Sequence, residues 1–461
     1  MFKVFCILGL CFYQFDNGEI GLMSQRKDTS SDVLEIDSTH QVEGNVVNRR
    51  KRKSSRWMNS NRFRWIFQIV FLIITIYIGW KFYLFVQYCE TGGATKYVSR
   101  PPGIEAFLPI GAFMGLKYFL GTGKVDPIHP AGFVIFASIL ITSFLFQRGF
   151  CSWICPVGTI SEWGWRFGDW IKSKFNRGVK YWVEIFPVKL TCGLSMISTP
   201  IVALMLLDVV SFESFKSPNM KAIYPLMIAA IIIPFALPRK VWSARVEDSI
   251  ARAWKYSILA FFVVTILIKM PAQQLEIMFT NVPFMKVADV RMLKFFINLS
   301  MLAIIIISVI FVFSIFNKNY WCRYFCPYGA MVGIIGWASS LRIVRDKEKC
   351  IDCGKCTKAC PVYIVVEKKK NVYNLECLAC YDCVNVCPVN GALDMKILGI
   401  GKKIHYAVYA GLAVGLFVIF MNTARFTGYW YNNITLQEYM YRIADIDNPK
   451  YQHKQGKFEV E

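Results

Sequence analysis

The chain has 461 residues, room for two or three domains, and is 55% hydrophobic, 16% aromatic and only 18% charged. A mean hydropathy of +0.38 excludes an ordinary soluble core and points to membrane spans. The net charge of +22 would admit a nucleic-acid partner, but the placement of the cations along the chain, given below, excludes one.

Residues 1–22 contain a short apolar run, Val4 to Phe15, with only Lys3 before it and no small-residue cleavage site after it. A start placed upstream of the true one explains this stretch as well as a secretion signal does. Residues 24–64 are polar and end in a basic run, Arg49-Arg50-Lys51-Arg52-Lys53. They read as a disordered cytoplasmic tail with a basic anchor, so 1–64 is leader and tail.

Apolar runs follow at about 65–86, 131–147, 190–210, 223–237, 256–270, 295–316 and 404–421. Each predicts a membrane helix, with 223–237, which contains Pro234, and 256–270 the shortest against the usual ~20 residues. The segment 104–120, broken by Pro109, Gly111 and Gly115, predicts a re-entrant or interfacial helix on the outer face. With the N-terminus inside, 148–189, 238–255 and 317–403 face the cytoplasm. From Met23 on, Lys and Arg then number 36 on that side and 14 on the other. That bias is the cation excess of a cytoplasmic membrane face and explains the net charge without nucleic acid. The tail after the last span, which begins near Tyr429 and Trp430, predicts a short outer segment with an aromatic anchor.

Two motifs repeat in register in the two halves of the chain, Cys151-Ser-Trp-Ile-Cys155-Pro156 and Cys322-Arg-Tyr-Phe-Cys326-Pro327. Each follows a span running inward, so Cys151, Cys155, Cys322 and Cys326 are expected to converge at the inner membrane edge as a third redox or metal site. Proline after the second cysteine opens a helix, and the dipole there is expected to lower the thiol pKa. Buried structural cysteines are the plainer alternative. Cys6, Cys11, Cys89 and Cys192 have no such pattern.

A second duplication carries the strongest signal. Cys350-x-x-Cys353-x-x-Cys356-x-x-x-Cys360-Pro361 recurs, with every interval kept, as Cys377, Cys380, Cys383, Cys387 and Pro388. Eight thiols at these intervals suit two [4Fe–4S] clusters with crossed ligation. Cys350, Cys353, Cys356 and Cys387 would hold one, and Cys377, Cys380, Cys383 and Cys360 the other. Gly354 and the small Ala379 allow backbone amides to approach the clusters. Such thiolate sites need a reducing compartment, so the cassette is expected in the cytoplasm.

Together these features predict an α-helical polytopic membrane protein with an inserted α+β two-cluster ferredoxin-like domain. Its parts would be a membrane domain at 65–340, the ferredoxin domain at 341–398, and a final transmembrane helix with a short outer tail at 399–461. On the paired CxxxCP motifs and the cassette the chain resembles the membrane-bound 4Fe–4S polyferredoxins of the NapH/NosR type, over about residues 65–440. They are related to cytochrome oxidase accessory ferredoxins. The resemblance implies electron transfer between the quinone pool, or a cytoplasmic donor, and an unidentified redox protein partner, in the inner (cytoplasmic) membrane and its lipid bilayer. Quinol oxidation is the enzymatic activity this would entail. An assembly factor that reduces or delivers copper to a respiratory oxidase is the alternative. The chain departs from the family in lacking outer segments long enough for a flavin domain. Gly93-Ala94-Thr95 is similar to a flavin-attachment motif, but its flanks differ and it receives no role. Only four histidines occur, and His129 and His405 fall at opposite membrane edges, which gives a b-haem no axial pair. Asp126 and His129 could take protons from a quinol, although a helix-starting turn is the plainer reading.

Overall fold

In the computed structural model, which describes residues 60–207, 224–237 and 243–451, a 31-residue helix, α1 (Ser60–Glu90), links the two ends of the molecule. The expected leader and nearly all of the basic tail lie outside the described residues. An apolar run without proline lets α1 extend roughly 46 Å at 1.5 Å per residue. At its start, Arg64 donates to the carbonyl of Cys380 at 2.7 Å. At its end, Glu90 pairs with Lys294 at 3.0 Å and Phe85 packs edge-on against Tyr439. The cysteine cassette and the C-terminal helix α16 (Leu436–Ala444) therefore sit at opposite ends of one span.

After α1 come a 3-10 turn (Pro102–Phe107) and α2 (Pro109–Thr122), the helix expected across 104–120. Next is α3 (Pro130–Phe146), opened by Pro130 and ended by the positive φ of Gln147, so it has only 17 residues. The short α4 (Gly149–Trp153) carries Cys151, and α5 (Pro156–Lys172) is amphipathic. The apolar run expected from 190 belongs to a longer helix, α6 (Arg177–Leu206), which contains Pro187 and Pro200. It packs against α7 (Tyr224–Ala236) so closely that a Cβ on Gly193 would lie 2.8 Å from the Cα of Ile231.

The run expected at 256–270 starts far earlier. Helix α8 (Ala244–Phe262) continues through a π-turn (Val263–Lys269), and its charged first half, in which Glu247 pairs with Lys189 and Lys255 with Glu376, hides the helix start from a hydropathy scan. Small hydroxyls join α6 to α8: Ser195 donates to the Ile250 carbonyl at 2.6 Å, and Ser257 to Thr199 at 3.0 Å. The span expected at 295–316 is broken. Helices α10 (Ala288–Ile297) and α11 (Met301–Phe316), which follow α9 (Ala272–Asn281), meet at 81° because Ser300 starts a new helix by accepting the Ala303 amide. Among the described residues four helices are long and apolar enough to cross a membrane, or five with the bent pair counted as one.

A π-turn (Trp321–Phe325) carries Cys322, and α12 (Pro327–Gly336) packs on α3, with Tyr328 against Phe136. Then β1 (Leu341–Arg345) pairs antiparallel with β2 (Leu393–Ile397), Leu341 opposite Ile397, and the two strands bracket the cassette. The last span, α15 (Tyr406–Phe426), begins beneath the cassette. Trp430, expected as an interfacial anchor, is instead buried beside Ala131 and Ala424. Cys89 and Cys192 are buried in apolar clusters, as small hydrophobes.

Candidate iron–sulfur centres

Both cysteine loops are shaped by the same unusual backbone. In the first, Asp352 and Gly354 have φ of 48° and 68°; at the equivalent positions of the second, Ala379 and Tyr381 have 50° and 63°. Three of the four are not glycine, so each loop stores left-handed strain where its sulfurs must turn inward. Each loop then enters a short helix, α13 (Lys355–Ala359) or α14 (Asp382–Asn385), at matched positions.

The loops close around two cavities. One is lined by Cys377, Cys380 and Cys383 together with Cys360 of the other loop. The other is lined by Cys350, Cys353 and Cys356 together with Cys387. Three sulfurs from one loop and a fourth from its twin thus face each space. The Ile364 amide donates to the Cys360 sulfur at 3.4 Å, and Arg345 lies 3.5 Å from the Cys350 sulfur. Burial pushes the Cys377 thiol up to about 11, and Cys380 and Cys383 well above the ordinary thiol value. Such thiols ionise readily only when a cationic centre arrives, which is the behaviour of cluster ligands.

The membrane domain grips the second loop. Glu376, beside Cys377, accepts from Lys255 at 2.7 Å, from Arg148 at 2.7 Å and from Tyr256 at 2.9 Å. Next to Cys151, Ser152 donates to the Leu378 carbonyl at 2.7 Å and Trp153 to the Ala379 carbonyl at 3.3 Å. Fully buried Arg64 pairs with Glu162 and, at 3.2 Å, with Asp382. These buried ions were not singled out in the sequence. The available signal was a carboxylate immediately before Cys377 and another before Cys383.

The two CxxxCP copies are brought together. Cys322 lies within electrostatic reach of Cys326, Cys155 and Cys151, and Cys155 of Cys151 and Cys326. Their second cysteines cap helices as expected: the Gly329 amide donates to the Cys326 sulfur at 3.2 Å, and the Gly158 amide faces Cys155. The expected fall in thiol pKa does not follow. Burial outweighs the helix amides and pushes Cys155 up to about 12. Among the described residues no three His, Cys, Asp or Glu side chains are arranged to hold a single metal ion.

At the far end of α3, Asp126 accepts the Ile128 amide at 2.8 Å, and His129 caps the helix with its Nε2 at 2.9 Å from the Met285 carbonyl. This is the expected turn, but both side chains are buried, and Asp126 Oδ2 and His129 Nδ1 have no hydrogen-bond partner among the described residues.

Helical spans carrying a cysteine cassette of this geometry define a membrane-bound 4Fe–4S polyferredoxin, an iron–sulfur electron-transfer protein. A family described as a 4Fe-4S binding domain matches twice, at 128–178 and 299–347, around the two CxxxCP copies, and a 4Fe-4S dicluster domain matches 342–388. The chain belongs to the polyferredoxin family that includes the putative electron transport protein YccM of Escherichia coli, with which it is 34% identical over 70% of its own length and 71% of that protein's. Shorter stretches resemble the ferredoxin-type protein NapH of Haemophilus influenzae (41% identical) and the methylamine utilization ferredoxin-type protein MauN of Paracoccus denitrificans (34%). Each of these covers 12% of this chain and 20% of the relative. No solved structure matches the chain.

Proposed function

We propose that this protein passes electrons between the quinone pool, or a soluble cytoplasmic donor, and a separate redox protein. Two [4Fe–4S] clusters would be held by Cys350, Cys353, Cys356 and Cys387, and by Cys377, Cys380, Cys383 and Cys360. Bound clusters supply one-electron chemistry whose potential the surrounding charges and hydrogen bonds tune. The crossed lining of the two cavities is the observation that carries this reading. Anaerobically purified protein should contain about eight irons from these sites, and Cys387→Ser should disturb the resonance assigned to the first loop. About four irons, or a Cys387→Ser effect confined to the second loop, would sink the crossed arrangement.

Cys151, Cys155, Cys322 and Cys326 would form a third centre. Cys155, Cys322 and Cys326 combine partial accessibility with strong desolvation, as Cys377 and Cys383 do beside their cavity. Ser152 and Trp153, which hydrogen-bond to the second loop, support a position for this centre between the membrane interior and the cassette. The Cys151→Ser, Cys322→Ser double variant should slow quinol-driven reduction and leave both cassette signals intact; a wild-type rate would reduce these cysteines to a structural role.

The Asp126–His129 pair supports a quinol as the membrane donor. Two buried groups with one unsatisfied atom each can accept the two protons that quinol oxidation releases. Burial also raises the Asp126 carboxyl above the usual carboxylate range, toward working pH. His129→Gln and Asp126→Asn should lower reduction by menaquinol or ubiquinol analogues while dithionite reduction stays normal. The cation bias and the opposed ends of α1 support a cytoplasmic cassette in the inner membrane with the C-terminus outside. Reporter fusions after Lys370 and after Lys450 should report opposite sides.

A further inference from the structure

Where the cassette meets the start of α8, a groove opens that neither cluster cavity includes. It has about 620 Å³ of space continuous with solvent, and Arg245, Arg252, Lys368, Lys369, Asn374 and Tyr363 stand around it. Among the described residues no carboxylate lines it. Arg252 pairs with Asp248, but the same carboxylate also holds Arg323, so one anion serves two guanidiniums. Arg245, Lys368 and Lys369 form no ion pair among the described residues. Cations from two separate parts of the chain thus converge on one concavity without the anion to balance them. Unbalanced charge of this density repels itself unless a ligand supplies the missing sign.

The depth of the groove selects the ligand. Helix α8 and its π-turn together make a span of 26 residues, Ala244–Lys269. That is roughly 39 Å against a hydrocarbon layer of about 30 Å, so the first turns protrude into the headgroup layer. Arg245 stands on the first of those turns, next to Val246, which is 42% exposed. Tyr363 at the rim is 47% exposed, an aromatic at the level where the interface favours one. Basic recesses between membrane helices and a cytoplasmic domain suit anionic headgroups, each nearby cation adding attraction.

We propose that this groove binds a phosphate group, presented by an anionic phospholipid of the surrounding bilayer. The bound phosphate would join α8 to the cassette as a replaceable strut. Val362 and Ile364 line both the groove and the cavity of the second loop, so the strut would steady the wall behind Cys360. The site involves no cysteine and does not depend on the direction of electron flow.

The test uses the full-length protein with its cassette loaded, in detergent, titrated by native mass spectrometry with phosphatidylglycerol or phosphatidylcholine. In a parallel arm, inorganic pyrophosphate is titrated by calorimetry. Phosphatidylglycerol should bind at least about tenfold more tightly than phosphatidylcholine. The triple variant Arg245→Gln, Lys368→Gln, Lys369→Gln should lose roughly a hundredfold in that affinity, about fivefold for each cation, with unchanged iron content. A control triple, Lys347→Gln, Lys349→Gln, Lys355→Gln, removes the same charge from exposed positions on the first cysteine loop and should change it less than about twofold. Pyrophosphate binding that the first triple abolishes, without a lipid preference, would keep the phosphate site and assign it to a soluble ligand. No preference together with no pyrophosphate binding overturns the proposal, as does equal loss in both triples.

Discussion

The two cysteine loops share their spacing and their backbone, yet their surroundings are opposite. At the position before the first cysteine, one copy has Lys349 and the other Glu376; before the third, one has Lys355 and the other Asp382. Lys349 is half exposed and pairs only with its neighbour Asp346 at 3.1 Å. Glu376 is buried under Lys255, Arg148 and Tyr256, and Asp382 under Arg64 and Arg166. Cys353 of the first loop is exposed, whereas Cys380 of the second is buried. Duplication set the ligand geometry twice, and a few side-chain changes decided which copy docks on the membrane domain and which meets solvent.

The comparison breaks first at Glu376. Replacing it with Ala leaves a buried ammonium and a buried guanidinium without their anion, a loss of about 3–5 kcal/mol. Lys349→Ala, its counterpart, should stay within about 0.5 kcal/mol, as for an exposed pair. Thermal unfolding in detergent, followed by cassette absorbance, separates the two; equal shifts would mean that docking does not depend on the buried ions. Next in size is Gly333, where a Cβ would lie 2.5 Å from the Leu375 carbonyl oxygen. Gly333→Ala must push α12 away from the second loop, at a cost of about 1–3 kcal/mol. The atoms nearest that Cβ belong to Leu375 and Arg148, so the first loop's signal should not change. Ser152→Ala removes one bond to the Leu378 carbonyl and should cost about 1 kcal/mol, again read in the second loop alone.

The cassette was legible because cluster ligation fixes residue type and spacing together, and chance rarely repeats eight cysteines in register. The spans were legible where a long helix stays apolar and mostly exposed along its middle, as in α1. Legibility failed where protein replaces lipid. The first half of α8 carries five charges and reads as a loop until the partners of two of them are seen, Glu376 of the cassette for Lys255 and Lys189 of α6 for Glu247. The break between α10 and α11 turns on Ser300, one hydroxyl in an otherwise apolar run. Helix amides at Cys155 and Cys326 were foreseen, but the depth of burial that reverses their effect depends on packing between two segments far apart in the chain.

The smallest effect is expected at Arg345. Its Nη1 lies 3.5 Å from the Cys350 sulfur and 2.9 Å from Asp352, while the equivalent position of the second copy is the buried, apolar Val372. A cation near a cluster favours the more negative, reduced form, so removing it should lower the potential. For Arg345→Gln the drop in the first loop's cluster should be roughly 40 mV, equivalent to about 1 kcal/mol for one electron. Because Asp352 is open to water, salt should erode the effect: the shift measured near 0.01 M ionic strength ought to shrink toward 1 M, as the Debye length falls from about 30 to about 3 Å. A potentiometric titration that resolves the two signals reads both quantities. If the second loop's signal moved instead, the exposed and docked assignments would have to be exchanged.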